Sequence, residues 1–144
     1  MSDYEQWPSL SDLAGAVSSG KLSAVSNVQK ALERINALND TYNAVLSTTD
    51  ERALKRAQEI DAKVKNGESA GKLAGVPFLA KDNYLVFGSE TTAASNMLKG
   101  FKAPYQSTVI NLLEAEGAIC VGKTNMDAFA HGGSTENSDF GPTK

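Results

Sequence analysis

The chain has 144 residues and a formal net charge of −3. That is long enough for one domain with an apolar core, and no dense Lys/Arg cluster favours direct contact with nucleic acid. Hydrophobic residues make up 41% and charged residues 22%, the balance of an ordinary globular chain rather than a disordered or fibrous one. The single cysteine, Cys120, excludes an intrachain disulfide framework. The polar, acidic start Met1-Ser2-Asp3-Tyr4-Glu5-Gln6 lacks the basic and apolar regions of a signal peptide, and no apolar stretch is long enough to span a bilayer. A cytoplasmic location is the default expectation.

Ser9 with Asp12 three residues on forms a capping-box pair, and Leu10, Leu13, Ala14 and Val17 follow at helical spacing. Gly20 closes that first helix. Ser23 opens a second, with Val25, Val28, Leu32, Ile35 and Leu38 on one face, and Asn39-Asp40 is expected to break it. The run Asn43 to Leu46 reads as a strand or extended segment. Thr48 and Glu51 suggest another capping box, Leu54, Ala57, Ile60 and Val64 line a third helix, and Asn66-Gly67 ends it. Isolated helices of this length are marginal, so all three are expected to lie on a sheet of the same chain.

Gly67 to Gly71 reads as a connection. Val76 to Ala80 is a short buried strand, which Pro77 places at a sheet edge or at its own first residue. Ser107 caps a helix through Glu116 with Val109, Leu112 and Leu113 inward, and Gly117 stops it. Ala118 to Val121 is an apolar run suited to a strand covered on both faces. Strand, helix and strand in this order predict a parallel pairing. The expected fold class is α/β: an N-terminal helical layer over residues 1–70, packed on the first strands of a mixed or parallel sheet over residues 71–144, in one domain.

Two segments carry chemistry. Lys81 ends the apolar strand. Burial would disfavour its ammonium and leave a neutral amine able to act as a base, whereas Asp82 would hold it charged if the carboxylate pointed at it. A lysine at a strand end can also simply reach water. The loop His131-Gly132-Gly133-Ser134-Thr135-Glu136 could present backbone amides to a ligand or form a plain surface turn. His131 is the only histidine, and it reads as a loop residue. Gly117 to Thr124 matches the phosphate-loop spacing G-x4-G-K-T, but a helix precedes it and its middle is strand-like, the wrong context for binding phosphate. Cys120 sits among Ala, Ile and Val, where a thiol is inert, so a Cys120–His131 dyad is not expected.

The strand ending Gly75-Val76-Pro77-Phe78-Leu79-Ala80-Lys81-Asp82-Asn83, the Thr91-Thr92-Ala-Ala-Ser95 segment, and Asn125-Met126-Asp127 before the Gly-Gly-Ser-Thr loop resemble the amidase-signature family. Within it the resemblance is to the A subunits of tRNA-dependent amidotransferases. It departs at Ala128, where family members often have Glu, at His131, where they often have Met, and at Ala93, where the tRNA-dependent branch often has Cys. The resemblance implies that Lys81 is the base of a Ser–cis-Ser–Lys triad. It implies that His131, Gly132, Gly133 and Ser134 form a wall of the substrate pocket, and that both serines lie beyond residue 144, leaving this chain an incomplete part of the fold and inactive alone.

The implied substrate is glutamine, hydrolysed to supply ammonia for amidating Glu-tRNA(Gln) or Asp-tRNA(Asn). The implied partners are B and C subunits, with tRNA, ATP and Mg²⁺ on the B subunit and no cofactor or metal in this chain. A stand-alone amidase acting on another small amide, and a non-catalytic assembly piece, are the alternative readings.

Overall fold

The computed structural model describes residues 8–144, so the acidic start lies outside the described residues. Helix α1 (Leu10–Ser18) begins as its sequence predicts: the Ser9 hydroxyl accepts the Asp12 amide at 3.1 Å. Helix α2 (Ala24–Tyr42) is capped by Ser23, whose hydroxyl also donates to Asp61 at 2.7 Å. This helix runs through Asn39-Asp40 rather than breaking there. Asn39 is used from within the helix: its side chain donates to the Val45 carbonyl and accepts the Val45 amide, both at 2.8 Å. The stop falls at Asn43, in the left-handed region at φ 50°, a conformation asparagine tolerates better than most residues.

Strand β1 (Val45–Thr48) leads into helix α3 (Asp50–Lys65). The expected Thr48–Glu51 box does not form; Thr49 is the N-cap. Its hydroxyl donates to the Cys120 carbonyl at 2.8 Å and its amide to the Val121 carbonyl at 3.1 Å, so it ties the helix start to the sheet.

Strand β2 (Pro77–Lys81), helix α4 (Thr108–Ala115) and strand β3 (Ile119–Thr124) form the expected crossover, with β2 parallel to β3. Strand β1 joins β3 antiparallel, giving a mixed three-stranded sheet in the order β1-β3-β2. Strand β2 is an edge, and Pro77 is its first residue, both of which suit a residue without an amide. The crossover turns at Gly117, at φ +88°, where an added Cβ would stand 2.1 Å from the Ala70 carbonyl oxygen. Only glycine fits so close a backbone crossing.

The core lies on both sheet faces. Val17, Val28, Leu32, Ala53, Ala57 and Ile60 from α1–α3 pack with Ile119 and Val121, so the three helices share one core with the second half of the chain. On the other face Ile110 packs with Phe78, Ala80, Val86 and Cys120. Here the expected face of α4 is wrong. Val109 is 43% and Leu112 64% exposed, while Ile110 and Glu114 are buried. The charged Glu114 turns inward because Arg52 and Gln106 meet it; Arg52 Nη2 and Gln106 Nε2 each donate to its Oε2 at 2.8 Å. Among the described residues no helix is long and apolar enough to cross a membrane.

Candidate active site

Strands β2 and β3 end side by side, with Lys81 opposite Thr124. The candidate site residues read from the sequence lie at these two ends and on the segments leaving them. Lys81 itself is exposed, as a strand-end lysine that reaches water would be, and not shielded as the reading of it as a base requires. It follows Leu79 by two residues on an edge strand, and Leu79 is 40% exposed; alternation places both on the same, uncovered side.

The lysine removed from solvent is Lys123, one step back on β3 and paired with Ala80. Its ammonium donates to Asp82 Oδ1 at 2.9 Å, to Thr91 Oγ1 at 3.1 Å and to the Glu90 carbonyl at 3.3 Å. Lys123 is therefore the lysine of the phosphate-loop pattern turned into the core, and its strand setting leaves no loop to cradle phosphate. The second oxygen of Asp82 accepts both the amide (2.9 Å) and the hydroxyl of Thr92. Asp82 is 1% exposed, and it faces Lys123 rather than Lys81. A buried ion pair is tolerated only when hydrogen bonds satisfy its remaining atoms, and here Thr91 and Thr92 do so.

The segment after Thr92 is held in an uncommon conformation. Ala93 and Ala94 have φ of 50° and 55°, and Phe129, Ala130 and Thr135 repeat the left-handed geometry. Each such residue costs on the order of 1–2 kcal/mol outside glycine. Hydrogen bonds hold the strain in place: the Ala93 amide donates to the Asp82 carbonyl, the Phe129 amide to the Ala93 carbonyl, and the Asp139 amide to the Ala94 carbonyl. Strain held by surrounding structure is a mark of functional sites.

Beyond β3, Asn125 donates to the carbonyls of Asn43 (3.1 Å) and Gly141 (2.9 Å), and Met126 is buried. Asp127 then organises the glycine loop. Its carboxylate accepts the amides of Ser134 (3.1 Å), Thr135 (3.0 Å) and Asn137 (3.1 Å). Bonds from Thr135 and Asn137, joined by Ser134 and by the nearby charge of Lys81, outweigh burial and hold this carboxyl below its ordinary value.

His131, Gly132, Gly133 and Ser134 are all exposed. Gly132 has a steric reason to be glycine, since a Cβ there would lie 2.5 Å from Asp127 Cγ; Gly133 has open space around it. Sequence reasoning misses the anchoring parts, Lys123 with Asp82 and Asp127. The signal for Asp127 is its place in Asn-Met-Asp just before the loop. The signal for Lys123 is hidden by its likeness to a phosphate-binding lysine.

Cys120 is buried, and burial pushes its thiol above the ordinary value, the setting of an inert core cysteine. A groove of about 910 Å³ runs between α1, α2 and the β1–β2 side of the sheet, lined by Leu13, Ile35, Leu38, Val45, Pro77 and Leu79 among others. It includes neither Lys81 nor the glycine loop. Its lining is mainly apolar, whereas the strand ends gather the polar groups that chemistry requires.

The amidase family model matches residues 26–144. The A subunit of the Gloeobacter violaceus glutamyl-tRNA(Gln) amidotransferase is 48% identical over 136 residues, covering 94% of this chain and 28% of that protein. The peptide amidase of Stenotrophomonas maltophilia superposes with a TM-score of 0.85 at 31% identity, over 98% of this chain and 30% of that one. The A subunit of the Thermotoga maritima glutamyl-tRNA(Gln) amidotransferase gives 0.67 at 31% identity, over 84% and 24%. The chain thus spans under a third of the length of these relatives, and it belongs to the amidase-signature family.

Proposed function

We propose that this chain is the N-terminal part of a Ser–cis-Ser–Lys amidase that hydrolyses glutamine and supplies ammonia for transamidation of Glu-tRNA(Gln) or Asp-tRNA(Asn). The observation that carries the reading is the 48% identity to the A subunit of a glutamyl-tRNA(Gln) amidotransferase over 94% of the chain. Lys81 is the proposed base. A serine hydroxyl is a weak nucleophile, and a neutral amine held near it removes the proton as the carbonyl is attacked. Two serines outside these residues would complete the relay, and their arrival over the β2 edge would cover Lys81. His131 to Ser134 would form one wall of the amide pocket, with Asp127 fixing its backbone. Partner B and C subunits would complete the complex, the B subunit holding tRNA, ATP and Mg²⁺, in the cytoplasm.

The test is ammonia release from glutamine by the Gloeobacter enzyme carrying this chain in place of the matching segment of its A subunit, with its own partner subunits present. Activity near that of the unaltered enzyme supports the proposal; a correctly assembled but inactive graft contradicts it. The 144-residue chain alone is expected to release no ammonia.

A stand-alone amidase is the second reading. It is supported by the likeness to the Stenotrophomonas peptide amidase, at a TM-score of 0.85 over 98% of this chain. A panel of small amides distinguishes the two: preference for a peptide amide over glutamine in the grafted enzyme would favour it.

A further inference from the structure

Lys81, the proposed base, is followed directly by a carboxylate. A free Asp82 beside the amine would favour its ammonium form and oppose its use as a base. The structure removes this conflict. Both Asp82 oxygens are engaged elsewhere: Oδ1 by Lys123 at 2.9 Å, and Oδ2 by the amide and hydroxyl of Thr92. Lys123 and Asp82 have side chains 0% and 2% exposed, so their attraction is little screened by solvent.

We propose that Lys123 is a positioning residue for the amidase reaction. It holds the Asp82 carboxylate, and with it the Thr91–Ser95 segment, so that this charge does not keep Lys81 protonated. The inference rests on Lys81 being the base.

Other carboxylates on the neighbouring segments also accept hydrogen bonds, Glu136 among them from the Ser134 hydroxyl at 2.9 Å. Asp127 accepts three loop amides. Glu90 accepts the Gly100 amide at 2.6 Å, and Asp139 the Asn96 amide at 2.7 Å. Asp82 is the one adjacent in sequence to Lys81, and Lys123 is the only cation bonded to it among the described residues.

The experiment measures kcat/KM for glutamine against pH in the grafted enzyme, for Lys123→Met, Asp82→Asn and the Asp82→Asn/Lys123→Met double variant. Lys123→Met leaves Asp82 without its cation, so the acidic limb of the profile moves up by about one pH unit, about a tenfold loss on that limb. Asp82→Asn does not move the limb upward. The double variant, which leaves neither charge, returns it towards the unaltered profile. Should Lys123→Met fail to fold, Lys123→Gln keeps a donor to Asp82 and is expected to move the limb the same way.

A purely structural role lowers the melting temperature without moving the limb, and that result overturns the inference. If Lys81→Met in the same enzyme keeps its activity, the assignment of the base fails and the inference falls with it. If Lys81→Met is inactive while Lys123→Met keeps the unaltered profile, only the inference fails.

Discussion

The Asp127 carboxylate accepts the Thr135 amide at 3.0 Å, and its other oxygen accepts the Asn137 amide at 3.1 Å. One side chain at the end of β3 thus sets the path of the whole glycine loop. Asp127→Ala should leave the sheet intact and release the loop. Amide hydrogen exchange at Ser134, Thr135 and Asn137 is expected to quicken, while exchange in β3 is unchanged. Unchanged protection in the loop would show that something else orders it.

The same carboxyl carries a pH dependence. Its folded-state value lies below the ordinary one, so its stabilising effect is fully present above the ordinary carboxylate range. That effect is lost as pH falls through the folded value. Loop protection in wild type should therefore fall towards the Asp127→Ala level on acidification, and loop chemical shifts followed by NMR against pH would read it.

Glu114 anchors α4 to α3. Burial pushes its carboxyl up, but bonds from Arg52 and Gln106 and the charge of Arg56 outweigh it, leaving the carboxyl below its ordinary value. Glu114→Ala removes the charge-assisted bonds from Arg52, whose side chain is 26% exposed, and leaves it, among the described residues, only the Gln106 oxygen, 2.8 Å from Nη2. The expected loss is about 2 kcal/mol in urea denaturation, moderated because water reaches Arg52. The same sign holds here: the Glu114 contribution is present above the ordinary carboxylate range and lost as pH drops through its folded value.

Gly117 is the most constrained glycine at the crossover. Gly117→Ala places a Cβ against the Ala70 carbonyl in a left-handed backbone. The expected cost is about 2 kcal/mol or more, read from the urea midpoint. A neutral substitution would mean that the two segments separate easily.

Cys120 is expected to resist thiol reagents in the native state and to react only on unfolding, since its thiol is buried and held protonated. Rapid labelling with a chromogenic disulfide under native conditions would contradict the β3 packing.

Much of this fold was legible in the sequence, because capping serines and apolar periodicity are local signals. Ser9 and Ser23 mark their helices, Pro77 marks an edge strand, and the strand–helix–strand order gives the parallel pair. The failures share one physical cause: a hydrogen-bond partner outside the element overrode the local preference. Asn39 looks like a breaker but pairs with Val45; Thr49 caps because β3 holds it; Glu114 turns inward because Arg52, distant in sequence, meets it.

At the candidate site, the pattern singled out Lys81 and the glycine loop, but not the buried side chains on the neighbouring segments. Lys123 and Asp82 lie 41 residues apart, and only the β2–β3 register makes them neighbours. Of the two readings of Lys81, the structure shows the exposed one, on an edge strand.

Lys81 is the residue on which the amidase reading depends most. Its direct measurement is steady-state glutamine hydrolysis by the grafted enzyme with Lys81→Met, alongside a check that the complex assembles. Loss of a positioned base should cut kcat/KM by about 10²–10⁴-fold. Activity within about threefold of the unaltered enzyme, well short of that loss, would contradict the assignment of Lys81 as the base.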